Sequence, residues 1–154
     1  NGLHTNGYSL ARRVFRVEEE PSVLSRFYPE LGRTLGEALM EPHRCYYPLL
    51  EPVLPLIKGM AHITGGGLPE NVPRVLPEGL GALFDTSTWE VPPIFALIQE
   101  TGQVERDEMF RVFNMGVGMV LACAPDKSDE VCRLLPEARV VGEVTKGDEV
   151  VLSR

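Results

Sequence analysis

Three consecutive glycines, Gly65-Gly66-Gly67, follow the apolar, β-branched run Ala61-His62-Ile63-Thr64 and precede Leu68-Pro69-Glu70-Asn71-Val72-Pro73-Arg74. Glycine lets a backbone turn tightly and come close to a ligand. The pattern predicts a strand entering the loop and a helix over residues 68–76 leaving it. Pro69 and Pro73 fit that helix only in its first turn, where an N–H is not needed. A helix starting there would aim free N–H groups and its positive dipole end at the loop, an arrangement that attracts phosphate. Arg74 would add a fixed cation. His62, Thr64 and Asn71 add hydrogen-bonding groups. The bland alternative is a strand-to-helix turn whose glycines serve geometry only. The polar neighbours favour a ligand site.

At 154 residues, 44% hydrophobic and 24% charged, the chain is long enough for one domain with a real core. The formal net charge is −7 and no basic stripe occurs, which argues against a nucleic-acid partner. No apolar run is long enough to span a bilayer, and no secretory signal is visible. Cys45, Cys123 and Cys132 form no C-x-x-C pair; the last two read as small core residues, and a reduced, cytoplasmic setting fits best. The histidines are His4, His43 and His62, without the spacing of a protein-bound transition metal.

Periodicity predicts helices over residues 8–17, 33–40, 49–57, 93–100, 106–113 and 126–135. It predicts strands over residues 43–47, 58–64, 81–86 and 116–124, the last buried on both faces. A C-terminal hairpin is expected from residues 139–145 and 149–152, turning through Lys146-Gly147-Asp148. One buried sheet should include residues 60–64, 82–85 and 117–122. Alternating strands and helices imply an α/β (α+β) layered domain with a mixed sheet covered by helices. No repeat or linker is evident, so residues 1–154 read as a single domain.

Two further turns carry polar groups. Gly2-Leu3-His4-Thr5-Asn6-Gly7-Tyr8 places His4, Thr5 and Asn6 before a helix; it presents donors to a ligand, or it is a plain cap with Asn6 as the capping residue. In Phe113-Asn114-Met115-Gly116-Val117-Gly118-Met119, Gly116 is expected as a helix C-cap and Gly118 to allow close backbone approach; Asn114 is open to a ligand role, with the structural one favoured. Asp85, Thr86 and Ser87 end a predicted strand and read as turn residues. No hydrolytic triad or Cys nucleophile is defensible.

Taken together, Gly2-Leu3-His4-Thr5-Asn6-Gly7-Tyr8-Ser9-Leu10, Ala61-His62-Ile63-Thr64-Gly65-Gly66-Gly67 with Glu70-Asn71-Val72-Pro73-Arg74-Val75-Leu76-Pro77, and Phe113-Asn114-Met115-Gly116-Val117-Gly118-Met119 resemble phosphoribosylformylglycinamidine cyclo-ligase, also called aminoimidazole ribonucleotide synthetase. The resemblance is to that family's C-terminal domain and covers nearly the whole chain in order. Thr5 stands where Ser is common, Val112 where Thr is expected, and Asn1 where Ser is expected. With the first motif cut close to Asn1 and no initiator Met, the expectation is a piece of a longer, two-domain protein.

The resemblance implies an ATP-dependent ring closure of formylglycinamidine ribonucleotide in purine biosynthesis. ATP and Mg²⁺ would bind mainly through an N-terminal domain outside this chain. The partner is a small-molecule nucleotide substrate, with no nucleic acid and no membrane, and the full-length enzyme is expected to be a homodimer. It implies substrate or phosphate binding by His4, Thr5, Asn6, Gly7, Thr64, Gly65, Gly66, Gly67, Asn71 and Arg74, the last two holding either the anionic substrate or the helix after the glycine loop. His62 is the candidate for proton handling, because an unperturbed imidazole titrates near neutrality. Formylglycinamidine ribonucleotide synthetase, selenophosphate synthetase, thiamine monophosphate kinase and a hydrogenase maturation factor share the architecture. A non-catalytic nucleotide-binding module is the reading from another class.

Overall fold

The computed structural model describes residues 1–153. In chain order its helices and strands are α1 (Tyr8–Val14), β1 (Phe27–Tyr28), β2 (Arg33–Thr34), α2 (Leu35–Leu39), α3 (Tyr47–Leu50), β3 (Ile57–His62), α4 (Gly67–Asn71), β4 (Leu80–Asp85), α5 (Pro93–Gly102), α6 (Arg106–Val112), β5 (Met119–Cys123), α7 (Ser128–Leu134), β6 (Gly142–Lys146) and β7 (Val150–Ser153). The class is α+β, as the alternation implied. Contacts gather these elements into two compact units.

The first unit comprises Asn1–Arg44, Thr64–Gly67 and Val91–Gly118. Its core is built from Leu3, Ala11, Phe15, Leu35, Ile94, Phe95, Ile98, Met109, Phe110 and Phe113, all buried. The apolar spacing of Ile94, Phe95 and Ile98 gives α5 one buried face, and Pro93 starts it without losing a needed N–H. The Phe95 and Phe113 rings meet edge to face at 5.6 Å. Gly102 lets α1 approach: an added Cβ there would lie 2.5 Å from a Val14 methyl. The expected helix over residues 33–40 begins later, at Leu35. Thr34 is instead the last residue of a two-residue strand and caps α2, accepting from the Glu37 N–H while Glu37 accepts from the Thr34 N–H.

The second unit comprises Cys45–Ile63, Leu68–Glu90 and Met119–Arg154, described to residue 153. β3 and β5 pair antiparallel, His62 opposite Met119 and Ala61 opposite Val120. Leu50, Val53 and Val131 pack with Leu121 and Cys123 of β5, which lays α3, the following 3₁₀ segment and α7 on this sheet. The remaining sheet is three-stranded and mixed, in the order β6-β4-β7. β6 runs antiparallel and β7 parallel to β4.

Several expectations are corrected by these elements. The runs 60–64, 82–85 and 117–122 do not share one sheet: β3 and β5 form one, β4 belongs to the other. The C-terminal hairpin is split, because β4 lies between its two strands; the Glu149 carbonyl accepts from the Ala82 N–H, and Gly81 leaves room for the Glu149 backbone. Residues 43–47 form no strand; Tyr47 opens α3, with Pro48 in its first turn. Pro52 and Pro55 deny donors to a continuous helix, so residues 51–56 wind as 3₁₀. β5 is also only half-buried along its length rather than enclosed on both faces.

Candidate functional site

Three loops meet in the first unit, and each is shaped by residues in the left-handed region. His4 has φ 58° and Gly7 φ 75°; Gly66 and Gly67 have φ 94° and 57°; Met115 and Gly116 have φ 49° and 97°. A non-glycine there is uncommon and costs energy, so His4 and Met115 are held by their surroundings.

In the first loop the Asn6 N–H donates to the Leu3 carbonyl at 3.3 Å. Gly7, with no side-chain hydrogen bond, is the N-cap of α1, so Asn6 is not the cap. The Asn6 side chain reaches the glycine loop instead: its Oδ1 lies 3.3 Å from the position of a Cβ built on Gly65. His4 is buried, with 7% of its surface exposed. Its ring meets the ring of His43 edge-on, centroids 4.3 Å apart. Nothing in the spacing of His4 and His43 signals that contact.

The glycine loop closes as a turn in which the Gly67 N–H donates to the Thr64 carbonyl at 3.0 Å. Gly66 at the third position has the positive φ that a type II turn requires. Gly67 is needed for close approach as well, since an added Cβ would lie 1.8 Å from the Phe110 carbonyl oxygen. The helix expected over residues 68–76 is broken. α4 spans five residues, and Pro73–Val75 continues as 3₁₀. Pro69 sits in the first turn of α4, as expected, whereas Pro73 cannot extend a ladder that needs its N–H. So short a helix has little macrodipole, and the field at the loop comes mainly from the turn's own peptide groups.

The third loop buttresses the other two. Phe113 ends α6 in extended conformation, so the helix stops there and Gly116 is not its C-cap. The Phe113 ring lies against Gly7, and its carbonyl oxygen would be 3.0 Å from a Cβ on Gly67. Asn114 Nδ2 donates to the Gly2 carbonyl at 2.7 Å, and its Oδ1 accepts from the Gly116 N–H at 2.8 Å. Thus His4, Thr5, Asn6, Gly7, Thr64, Gly65, Gly66 and Gly67 are brought together, with walls from Phe110 and Phe113 that sequence reasoning missed. The three loops offer peptide groups, hydroxyls, amides and an imidazole, but no carboxylate and no cysteine.

A family model described as "AIR synthase related protein, C-terminal domain" matches residues 1–153. The chain belongs to this family. Among AIR synthase related proteins, a phosphoribosylformylglycinamidine cyclo-ligase of Caldicellulosiruptor bescii is 46% identical over 161 residues, covering 99% of this chain. The enzyme of that name from Bacillus cereus is 46% identical over 162 residues, again covering 99% of the chain. The chain spans about half the length of these relatives, 46% in each case. The crystal structure of HypE, a hydrogenase maturation protein of E. coli, matches with a TM-score of 0.55 at 21% identity, over 77% of this chain and 40% of that one. That likeness establishes the fold alone.

The other family positions belong to the second unit. His62 is the exposed last residue of β3, its ring edge-on to Tyr46 at 5.9 Å. Asn71 is buried at the end of α4, and Arg74 is exposed in the 3₁₀ turn just after it. Among the described residues no helix is long and apolar enough to cross a membrane.

Proposed function

We propose that this chain is the C-terminal part of an ATP-dependent cyclo-ligase that converts formylglycinamidine ribonucleotide to aminoimidazole ribonucleotide in purine biosynthesis. The observation that carries the reading is the meeting of three family loops in one unit, in a chain 46% identical to enzymes of that name. The reading assigns the nucleotide-binding half and the homodimer contacts to residues outside this chain. It assigns the protein to the cytoplasm.

In the reaction the γ-phosphoryl group of ATP passes to the formyl oxygen. A substrate nitrogen then attacks the formyl carbon, the carbon–oxygen bond breaks, phosphate leaves, and the nitrogen gives up a proton. Such chemistry depends chiefly on positioning and on neutralising developing charge. The 4–7 and Thr64–Gly67 loops supply peptide dipoles and the Asn6 amide to the ribonucleotide. Taken each by itself, exposed Arg74 is assigned to an anionic group, buried Asn71 to holding the helix that follows the glycine loop, and exposed His62 to proton handling. Mg²⁺ prefers carboxylate and phosphate oxygens. The three loops contain no carboxylate, so they do not fit as its ligands, and no step assigned to them involves the metal.

The test compares this chain with the longer polypeptide that includes the nucleotide-binding half, each given formylglycinamidine ribonucleotide and MgATP. The longer protein should release ADP and aminoimidazole ribonucleotide in equal amounts, and the chain alone should form neither. Turnover by the chain alone would refute the division of labour. A longer protein that binds ATP without forming product would favour a nucleotide-binding module.

A further inference from the structure

We propose that Asn114 is a positioning residue: it fixes the 4–7 loop through the backbone of Gly2 and touches no ligand itself. The functional half of this statement rests on the cyclo-ligase reading. Asn114 is 3% exposed, and both ends of its amide are engaged. Nδ2 donates to the carbonyl of Gly2, two residues before His4. Oδ1 accepts from the N–H of Gly116. A planar amide is the side chain that gives a donor on one side and an acceptor on the other.

Its position explains why two strained segments persist together. His4 and Met115 hold positive φ, a state that lasts only where neighbours over-determine it. The 2–7 segment is held at one end by Asn114 on Gly2 and at the other by the Phe113 ring against Gly7, with His4 between. On the other side of the amide, the Gly116 carbonyl accepts from Asn1 Nδ2 at 3.3 Å. One buried side chain therefore couples the first loop to the third. A buried amide that loses a partner bears the desolvation cost of the orphaned group, so the coupling is selective for Asn.

Asn114→Asp separates the two ends. It keeps an acceptor for the Gly116 N–H but removes the donor to Gly2 and sets a carboxylate oxygen against that carbonyl. Amide hydrogen exchange on this chain reads the result. In Asn114→Asp the Asn6 amide, which donates to Leu3, should exchange on the order of tenfold faster. The Gly116 amide and the β5 amides should be unchanged. In Asn114→Ala both the Asn6 and the Gly116 amides should accelerate. Exchange of Asn6 that is unaltered in Asn114→Asp, acceleration at every amide together, or loss of the fold in Asn114→Asp would each overturn the proposal. In the longer polypeptide, Asn114→Asp should raise KM for the ribonucleotide by roughly tenfold and change kcat by less than about threefold. A loosened loop with unchanged KM would overturn the positioning role. A wild type without turnover would sink the ligase reading and the functional half with it, while exchange alone would still decide the fixing of the loop.

Discussion

The aromatic ring of Phe113 occupies the place where a side chain on Gly7 would lie: a Cβ added there would sit 2.0 Å from Phe113 Cε1. The contact ties the entry of α1 to the end of α6, and it makes glycine at position 7 a steric as well as a conformational requirement.

Glycine substitutions should therefore sort by neighbour rather than by φ. Gly79 and Gly147 also have positive φ, but an added Cβ would meet nothing within 4 Å. Alanine at either should cost about 1–2 kcal/mol, the left-handed penalty. Gly7→Ala and Gly67→Ala should cost roughly twice that or more, because a ring or a backbone carbonyl must move as well. Urea unfolding of the four variants gives the order; equal losses would contradict the close approaches.

Thr34→Ala should destabilise the first unit by about 1 kcal/mol, the usual worth of an N-cap. Thr34→Ser keeps the hydroxyl and should retain most of that. Thermal unfolding of both variants provides the comparison.

Acid should remove two local contributions. The Thr34 backbone N–H, then its hydroxyl, hold the Glu37 carboxyl below the usual range. The Ser87 hydroxyl, then its N–H, do the same for Asp85. A carboxyl depressed in the folded state stabilises fully above its unfolded pKa, about 4, and loses that contribution as pH falls through the folded value. Glu37 is exposed and Asp85 half-buried, so neither carboxyl is shielded from solvent and the effect is small. Glu37→Gln and Asp85→Asn should each flatten the acid limb of the Tm–pH curve and leave its neutral limb sloped as in the wild type. A variant with an unaltered acid limb would discount that residue.

In the longer polypeptide, Arg74→Ala should raise KM for the ribonucleotide, since a charge-assisted contact is worth about 1.5–3 kcal/mol. His62→Ala should lower kcat more than it alters KM. Both side chains are exposed, so the fold should tolerate the changes. Folded variants with near-normal constants would remove both residues from the site.

Periodicity located most elements because their apolar faces are local facts: Ile94, Phe95 and Ile98 declare α5, and Ala82 and Phe84 the buried side of β4. Pairing was not legible. Lys146-Gly147-Asp148 turns the chain as a hairpin would, yet insertion of β4 between the two strands is decided by residues some sixty positions earlier. Prolines marked where a helix must break but not which conformation the chain takes next, so the expected helix after the glycines became α4 and a 3₁₀ turn. In the candidate site, the glycine loop and the 4–7 loop could be named from their residue types. That Asn6 reaches Gly65, that His43 lies on His4 and that Asn114 binds Gly2 are long-range facts carrying no short-range signature.

The central position of β4 has a consequence for biosynthesis. Its sheet neighbours are β6 and β7, both close to the C-terminal end of this chain. At ribosomal speeds, on the order of several seconds separate the synthesis of Phe84 from that of its partner Gly142. Throughout that interval Leu80, Ala82, Leu83 and Phe84 form a nascent strand with both edges unsatisfied, the kind of segment that sticks to its like. Slower translation through residues 86–141 would lengthen that exposure, and a holdase masking β4 would raise the yield of native protein without altering its final stability.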